Sequence, residues 1–134
     1  MNHAERHIVV AWSPDDYGRA ALAHAVAEAR MRGHGIVVVN ASRGDALVDD
    51  RFASDDELRE VRAGLEEAGL PYDVRQSVGA DVGDQVLAVA DEVGAELIVL
   101  GLRRRTPVGK LIMGSAAQRI LLGAHCPVLA VKPA

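Results

Sequence analysis

Five short apolar runs, rich in β-branched residues, alternate along this chain with four stretches that carry apolar residues at helical spacing. Ile8-Val9-Val10-Ala11-Trp12 is too short for a helix and reads as a buried strand. Ile36 to Val39, Leu97 to Leu100 and Val128 to Val131 read the same way, and the unbroken apolar character of Leu97 to Leu100 suits a central position. Tyr72 to Val78 alternates weakly, with Tyr72, Val74 and Gln76 on one face, which suits a sheet edge.

The segments between the runs carry helix signals. Ser13 reads as an N-cap and Pro14 as the first helical residue, with Asp15 and Asp16 in the first turn. Leu22, Ala25, Val26 and Ala29 follow, and Gly33 stops the helix. After a loop from Ser42 to Ala53, Ser54 to Glu57 forms a capping box, and Leu58, Val61, Leu65 and Ala68 make one face, ended by Gly69 and Pro71. Asp81 caps a third helix with Val86, Ala90 and Val93, closed by Gly94. Gly114-Ser115 opens a fourth, with Ile120 and Leu121.

This β-α-β-α-β-α-β-α-β order predicts an α/β fold: one doubly wound, five-stranded parallel sheet with helices on both faces, spanning residues 1–134 as a single domain. Two strand orders are common, 3-2-1-4-5 and 2-1-3-4-5, and the weak third strand favours the first, Rossmann-like order. A ligand then belongs at the C-terminal ends of strands 1 and 4, beside Ala11 to Pro14 and Gly101 to Ser115.

Composition excludes several classes. The apolar fraction is 49% and the charged fraction 25%, which excludes a disordered chain. Aromatics are only 3%, so Ala, Val, Leu and Ile build the core. No apolar run approaches the ~20 residues of a membrane span, and Ile8 to Trp12 is too short for a signal peptide. One cysteine, Cys126, permits no internal disulfide and suits a cytoplasmic protein. A net charge of −4 argues against general nucleic-acid binding.

The segment Gly101 to Ser115 holds Arg103, Arg104, Arg105 and Lys110 and no acid. Positive charge thus gathers where the fold binds ligands. Gly114 and Ser115 stand at a helix start, where free N–H groups and the helix dipole favour an anion. Gly101 leaves room for close approach to the backbone. Together these read as a phosphate site, against the plainer reading of a solvated basic turn and a helix cap. The loop is not a Walker A motif: Arg104 and Leu111 stand where Gly and Ser or Thr are needed.

The spacing Gly101, Arg104, Gly114, Ser115 resembles the signature of the universal stress protein family, in which Gly, two residues, Gly, nine residues, Gly and Ser or Thr follow strand 4. Gly94 to Gly101, Gln118 to Leu121 and His125 to Lys132 are also similar to that family, and the arginine run resembles a bacterial variety of it. The resemblance covers nearly the whole chain. It implies a Rossmann-like fold of the adenine nucleotide alpha hydrolase type and a site for ATP or another adenine nucleotide, with Mg2+. It also implies a homodimer formed through the strand Val128 to Val131, an apolar edge that invites pairing. The chain departs from the family at Ala11, where ATP-binding members carry an Asp, at Trp12 and Arg104, where they carry glycine, and at Ala117, where a hydroxyl is frequent. Arg104 either fills the phosphate space or grips the phosphate bidentately. Trp12 either blocks the pocket or stacks on a base.

Other chemistry-bearing residues read as structural. His3 and His7 lie in a tail and a strand start, and His24 and His34 on a helix face and in a turn. Cys126 reads as a small buried residue before Pro127. The pairs Asp15-Asp16 and Asp55-Asp56 fall in helix first turns; Asp49-Asp50 lies in a loop. Ser115 has no neighbouring base and no Gly-x-Ser-x-Gly context.

Three functions follow in order. The first is a dimeric cytoplasmic stress-response module that binds an adenine nucleotide, with Gly101, Arg104, Gly114 and Ser115 on the phosphates and Ala11, Trp12, Ser13 and the backbone near Asn40 around base and ribose. The second is a dimeric interaction protein without nucleotide, using Arg103 to Arg105 on an acidic protein partner. The third is a slow ATPase or phosphotransferase, placed last because no general base or metal carboxylate is evident at the loop.

Overall fold

The computed structural model describes residues 6–43, 52–102 and 113–133. The five apolar runs form strands β1 (His7–Ala11), β2 (Gly35–Ser42), β3 (Tyr72–Val78), β4 (Leu97–Gly101) and β5 (Val128–Val131). The periodic segments form helices α1 (Asp16–Arg32), α2 (Asp55–Ala68), α3 (Val82–Val93) and α4 (Ser115–Gly123). All four strand pairings are parallel, in the order β3-β2-β1-β4-β5. The register sets Ala11 opposite both Val39 and Leu100, so β1 and β4 finish level beside the body of β2.

Alternation along the strands divides the core between two faces. Ile8, Val10, Val38 and Val99 pack with α1 and α2. Val9, Val37, Ile98 and Leu100 pack with α3 and α4. β2 is buried at all eight positions and runs three residues beyond the apolar run Ile36 to Val39. Its extension, Asn40-Ala41-Ser42, carries two polar residues and persists because β3 pairs with it up to Ser42 and Val78.

α2, α3 and the glycine stops follow the expected signals. Ser54 and Glu57 form the reciprocal capping box, Asp81 caps α3 through the Asp84 N–H, and Gly33, Gly69 and Gly94 close their helices in the left-handed conformation.

α1 differs from expectation in two ways. Its N-cap is Asp15, not Ser13, and Asp16 is its first helical residue. The Asp15 carboxylate accepts the Gly18 N–H at 2.9 Å, while the Ser13 hydroxyl donates to that carboxylate. Ser13 and Pro14 therefore form the turn into the helix. The residues buried along α1 are Gly18, Ala21, Ala25 and Ala29, with Leu22 and Val26 only partly covered. Small side chains on that line let the helix lie close to the sheet.

Candidate functional site

The strand order reverses direction between β1 and β4, and the crevice expected there is present. Its cavity measures about 150 Å³. The turn into α1 contributes Trp12, Ser13, Asp15 and Tyr17, and the strand ends contribute Ala11, Leu100 and Gly101. Val39 and Ala41 of β2 and Val82 and Val86 of α3 form an apolar wall. Gly114, Ala116, Ala117 and Ile120 close the remaining side.

The helix starts at this pocket are not alike. α1 is capped by Asp15 and α3 by Asp81, whereas α4 opens at Gly114 with no side-chain cap. Gly114 has φ −63° and ψ 156°, and its carbonyl accepts the Gln118 N–H at 3.1 Å. The N–H groups of Ser115, Ala116 and Ala117 precede the first intrahelical bond and have no acceptor within the helix. α4 is held in place by α3 through Arg119, which donates to Asp84 at 2.6 Å. That ion pair keeps the Arg119 guanidinium above its ordinary value, chiefly by the hydrogen bond to Asp84.

Of the residues singled out from sequence, Ala11, Trp12, Ser13, Gly101 and Gly114 meet at this one pocket. Ser115 is the exposed first residue of α4 and is not among the lining residues. Arg104, with Arg103, Arg105 and Lys110, lies outside the described residues. Asn40 is fully buried and its side chain serves the fold: it donates to the Trp12 carbonyl at 3.1 Å and accepts from the Ala53 N–H at 2.9 Å and from Gln76 at 3.0 Å. Its neighbours Val39 and Ala41, pointing to the opposite face, line the pocket. Trp12 is 6% exposed and packs with the α1 and α2 core, its indole Nε1 buried without a partner among the described residues.

Sequence reading missed Asp15, Tyr17, Val82 and Val86. Asp15 carried a signal, since Ser-Pro-Asp followed by Gly18 fits an Asx-capped helix start. The α3 residues carried none, because only the crossover brings α3 over β1 and β2. Among the described residues, no group of three or more His, Cys, Asp or Glu gathers to hold a metal ion, and no helix is long and apolar enough to cross a membrane.

Residues 5–132 match the model of the Universal stress protein family. A universal stress protein of Mycolicibacterium smegmatis is 51% identical over 126 residues, covering 94% of this chain and 97% of that protein. The structure of a universal stress protein from Archaeoglobus fulgidus superposes with a TM-score of 0.79 at 30% identity, covering 98% of this chain and all of that one (100%). A universal stress protein in complex with cAMP matches with a TM-score of 0.75 at 26% identity over 98% of this chain and 99% of that one. An Archaeoglobus fulgidus member in complex with dAMP matches with a TM-score of 0.63 at 28% identity over 95% and 97%.

Proposed function

The chain belongs to the universal stress protein family, and from that premise we propose that it is a cytoplasmic stress-response module that binds an adenine nucleotide between β1 and β4. The observation that carries this reading is the start of α4. Gly114, Ala116 and Ala117 there line the pocket and no side-chain cap is present among the described residues, while the neighbouring helix starts are closed by Asp15 and Asp81. An anion there satisfies those donors and meets the positive end of the helix dipole, an interaction worth up to ~2 kcal/mol in partly buried geometry. Gly114 lets a phosphate approach, Ser115 and Arg104 complete its contacts, and Gly101 closes the wall. The base and ribose rest against Ala11, Trp12, Ser13 and the backbone on either side of Asn40. The family members bound to cAMP and dAMP support an adenine nucleotide as the ligand class.

The test is a titration of the protein with AMP, cAMP and ATP, followed by the fluorescence of Trp12, the single tryptophan of the chain. A saturable change is expected, accompanied by thermal stabilisation. Gly114→Asp sets a carboxylate where the anion would lie, and the φ of −63° admits any residue. That variant is expected to fold normally and lose binding. A flat trace with all three nucleotides, with no stabilisation at millimolar concentration, overturns the reading.

A second copy of the chain is the proposed partner, through β5. The Ile98 N–H donates to the Pro127 carbonyl and the Leu102 N–H to the Val131 carbonyl. By strand alternation, the backbone groups of Val128 and Ala130 then face the open edge. That edge carries no charge between Val128 and Val131. The opposite edge, β3, carries Asp73 and Arg75, and Arg75 is tied to both Asp73 and Glu92. Charge on one edge and none on the other favours pairing through β5.

A further inference from the structure

We propose that Asp15 is the residue that selects the donor-bearing end of the ligand, a role that rests on the nucleotide reading above. Asp15 is the one charged side chain among the described residues that line the pocket. Its carboxylate is held rigidly. Oδ1 accepts the Gly18 N–H at 2.9 Å and the Ser13 hydroxyl at 2.9 Å. Among the described residues, Oδ2 accepts only the second arm of that same hydroxyl, at 3.0 Å. A carboxylate oxygen offers two lone-pair directions, so Oδ2 retains capacity for a further donor.

The rest of the pocket makes that capacity consequential. Ala11 has no polar side chain, and Val39, Ala41, Val82 and Val86 offer none either. The other polar side chains of the lining are the hydroxyls of Ser13 and Tyr17, so a ligand N–H or O–H that leaves water for this crevice finds its one charged acceptor among the described residues at Asp15. The pocket is therefore polarised, with a fixed negative group at the start of α1 and, at the start of α4, N–H donors that have no side-chain cap among the described residues. A molecule with hydrogen-bond donors at one end and an anion at the other matches both. On a nucleotide the donors come from two sources, the ribose hydroxyls and the exocyclic amine of the base.

The experiment compares wild type with Asp15→Asn, using AMP, 2′-deoxy-AMP, 3′-deoxy-AMP and IMP. Asparagine is as good an N-cap as aspartate, so α1 keeps its start. Its neutral amide is a weaker acceptor and carries no charge. Wild type is expected to prefer AMP over at least one analogue by about tenfold. Asp15→Asn is expected to shrink that preference severalfold, with the melting temperature nearly unchanged. A preference lost against IMP assigns the contact to the amine, and one lost against a deoxy analogue assigns it to the missing hydroxyl. Asp15→Ser, another capping residue, repeats the comparison if the amide perturbs folding. Equal weakening for all four nucleotides, or preferences identical in wild type and variant, overturns the proposal and leaves Asp15 as a helix cap. Binding of none of the four by wild type is a distinct result, which overturns the nucleotide reading along with this one.

Discussion

Gly101, the last residue of β4, lies directly against the backbone of Tyr17: a Cβ on Gly101 would stand 2.4 Å from the Tyr17 carbonyl oxygen and 2.9 Å from its Cα. The space that a sequence reading assigns to a ligand is taken by the first turn of α1. This contact joins the two elements that form one wall of the pocket. Gly101→Ala is expected to cost about 2 kcal/mol, as overpacking against backbone commonly does, and to lower the melting temperature by roughly 5–10 °C. Thermal denaturation followed by circular dichroism checks this; a variant melting with wild type would show that α1 has room to shift.

Asn40 ties the end of β1 to the entry of α2. Removing its amide leaves the Trp12 carbonyl and the Ala53 N–H without that partner in a fully buried position. Asn40→Ala should destabilise by about 2–4 kcal/mol, since each stranded buried group costs 1–3 kcal/mol. Urea unfolding measures the loss, expected as a lower midpoint with an unchanged slope.

The dimer proposal makes a backbone prediction. Ala130→Pro removes an N–H that faces the open edge and spares the bonds from Ile98 and Leu102 to β5. The variant is expected to be a folded monomer by size-exclusion chromatography with light scattering, and wild type a dimer. A dimer that survives the substitution would move the interface elsewhere; the exposed Leu122 of α4 would be the next position to probe.

Cys126 should react slowly. Burial pushes its thiol above the ordinary cysteine range, and the charges of Asp91 and Glu96 add to that. The folded chain thus holds the thiol proton to higher pH than the unfolded chain. The associated stability is complete below the unfolded value and is lost as pH rises through the folded one. Iodoacetamide should alkylate the native protein more slowly than free cysteine at pH 7.4, the rate climbing only above the ordinary thiol range. Equal rates would contradict the burial.

Much of this architecture is legible because it rests on local rules. Strand length, capping boxes and glycine stops act within a few residues, so Ser54, Asp81, Gly33, Gly69 and Gly94 announce their helices without reference to the rest of the chain. The exception at α1 is instructive. Ser13 and Asp15 are both good caps, and local preference does not rank them. Gly18 does: its missing Cβ leaves the Ser13 carbonyl a place that a side chain would occupy at 1.8 Å, so the turn closes onto the helix and the carboxylate takes the cap.

The candidate site was readable only in part, for a related reason. Ala11, Ser13 and Gly114 stand at strand and helix ends, where topology alone places them at the switch point. The roles of Gly101, Asn40 and Asp15 depend on what arrives from elsewhere: the backbone of Tyr17, the chain at Ala53, the far wall formed by α3 and α4. The sequence by itself determined the elements, their parallel order and the crevice, since periodicity and the handedness of crossovers suffice for those. Only the tertiary structure decided which polar groups are consumed by packing and which remain to face a ligand, because a hydrogen bond between residues far apart in the chain leaves no pattern in either neighbourhood.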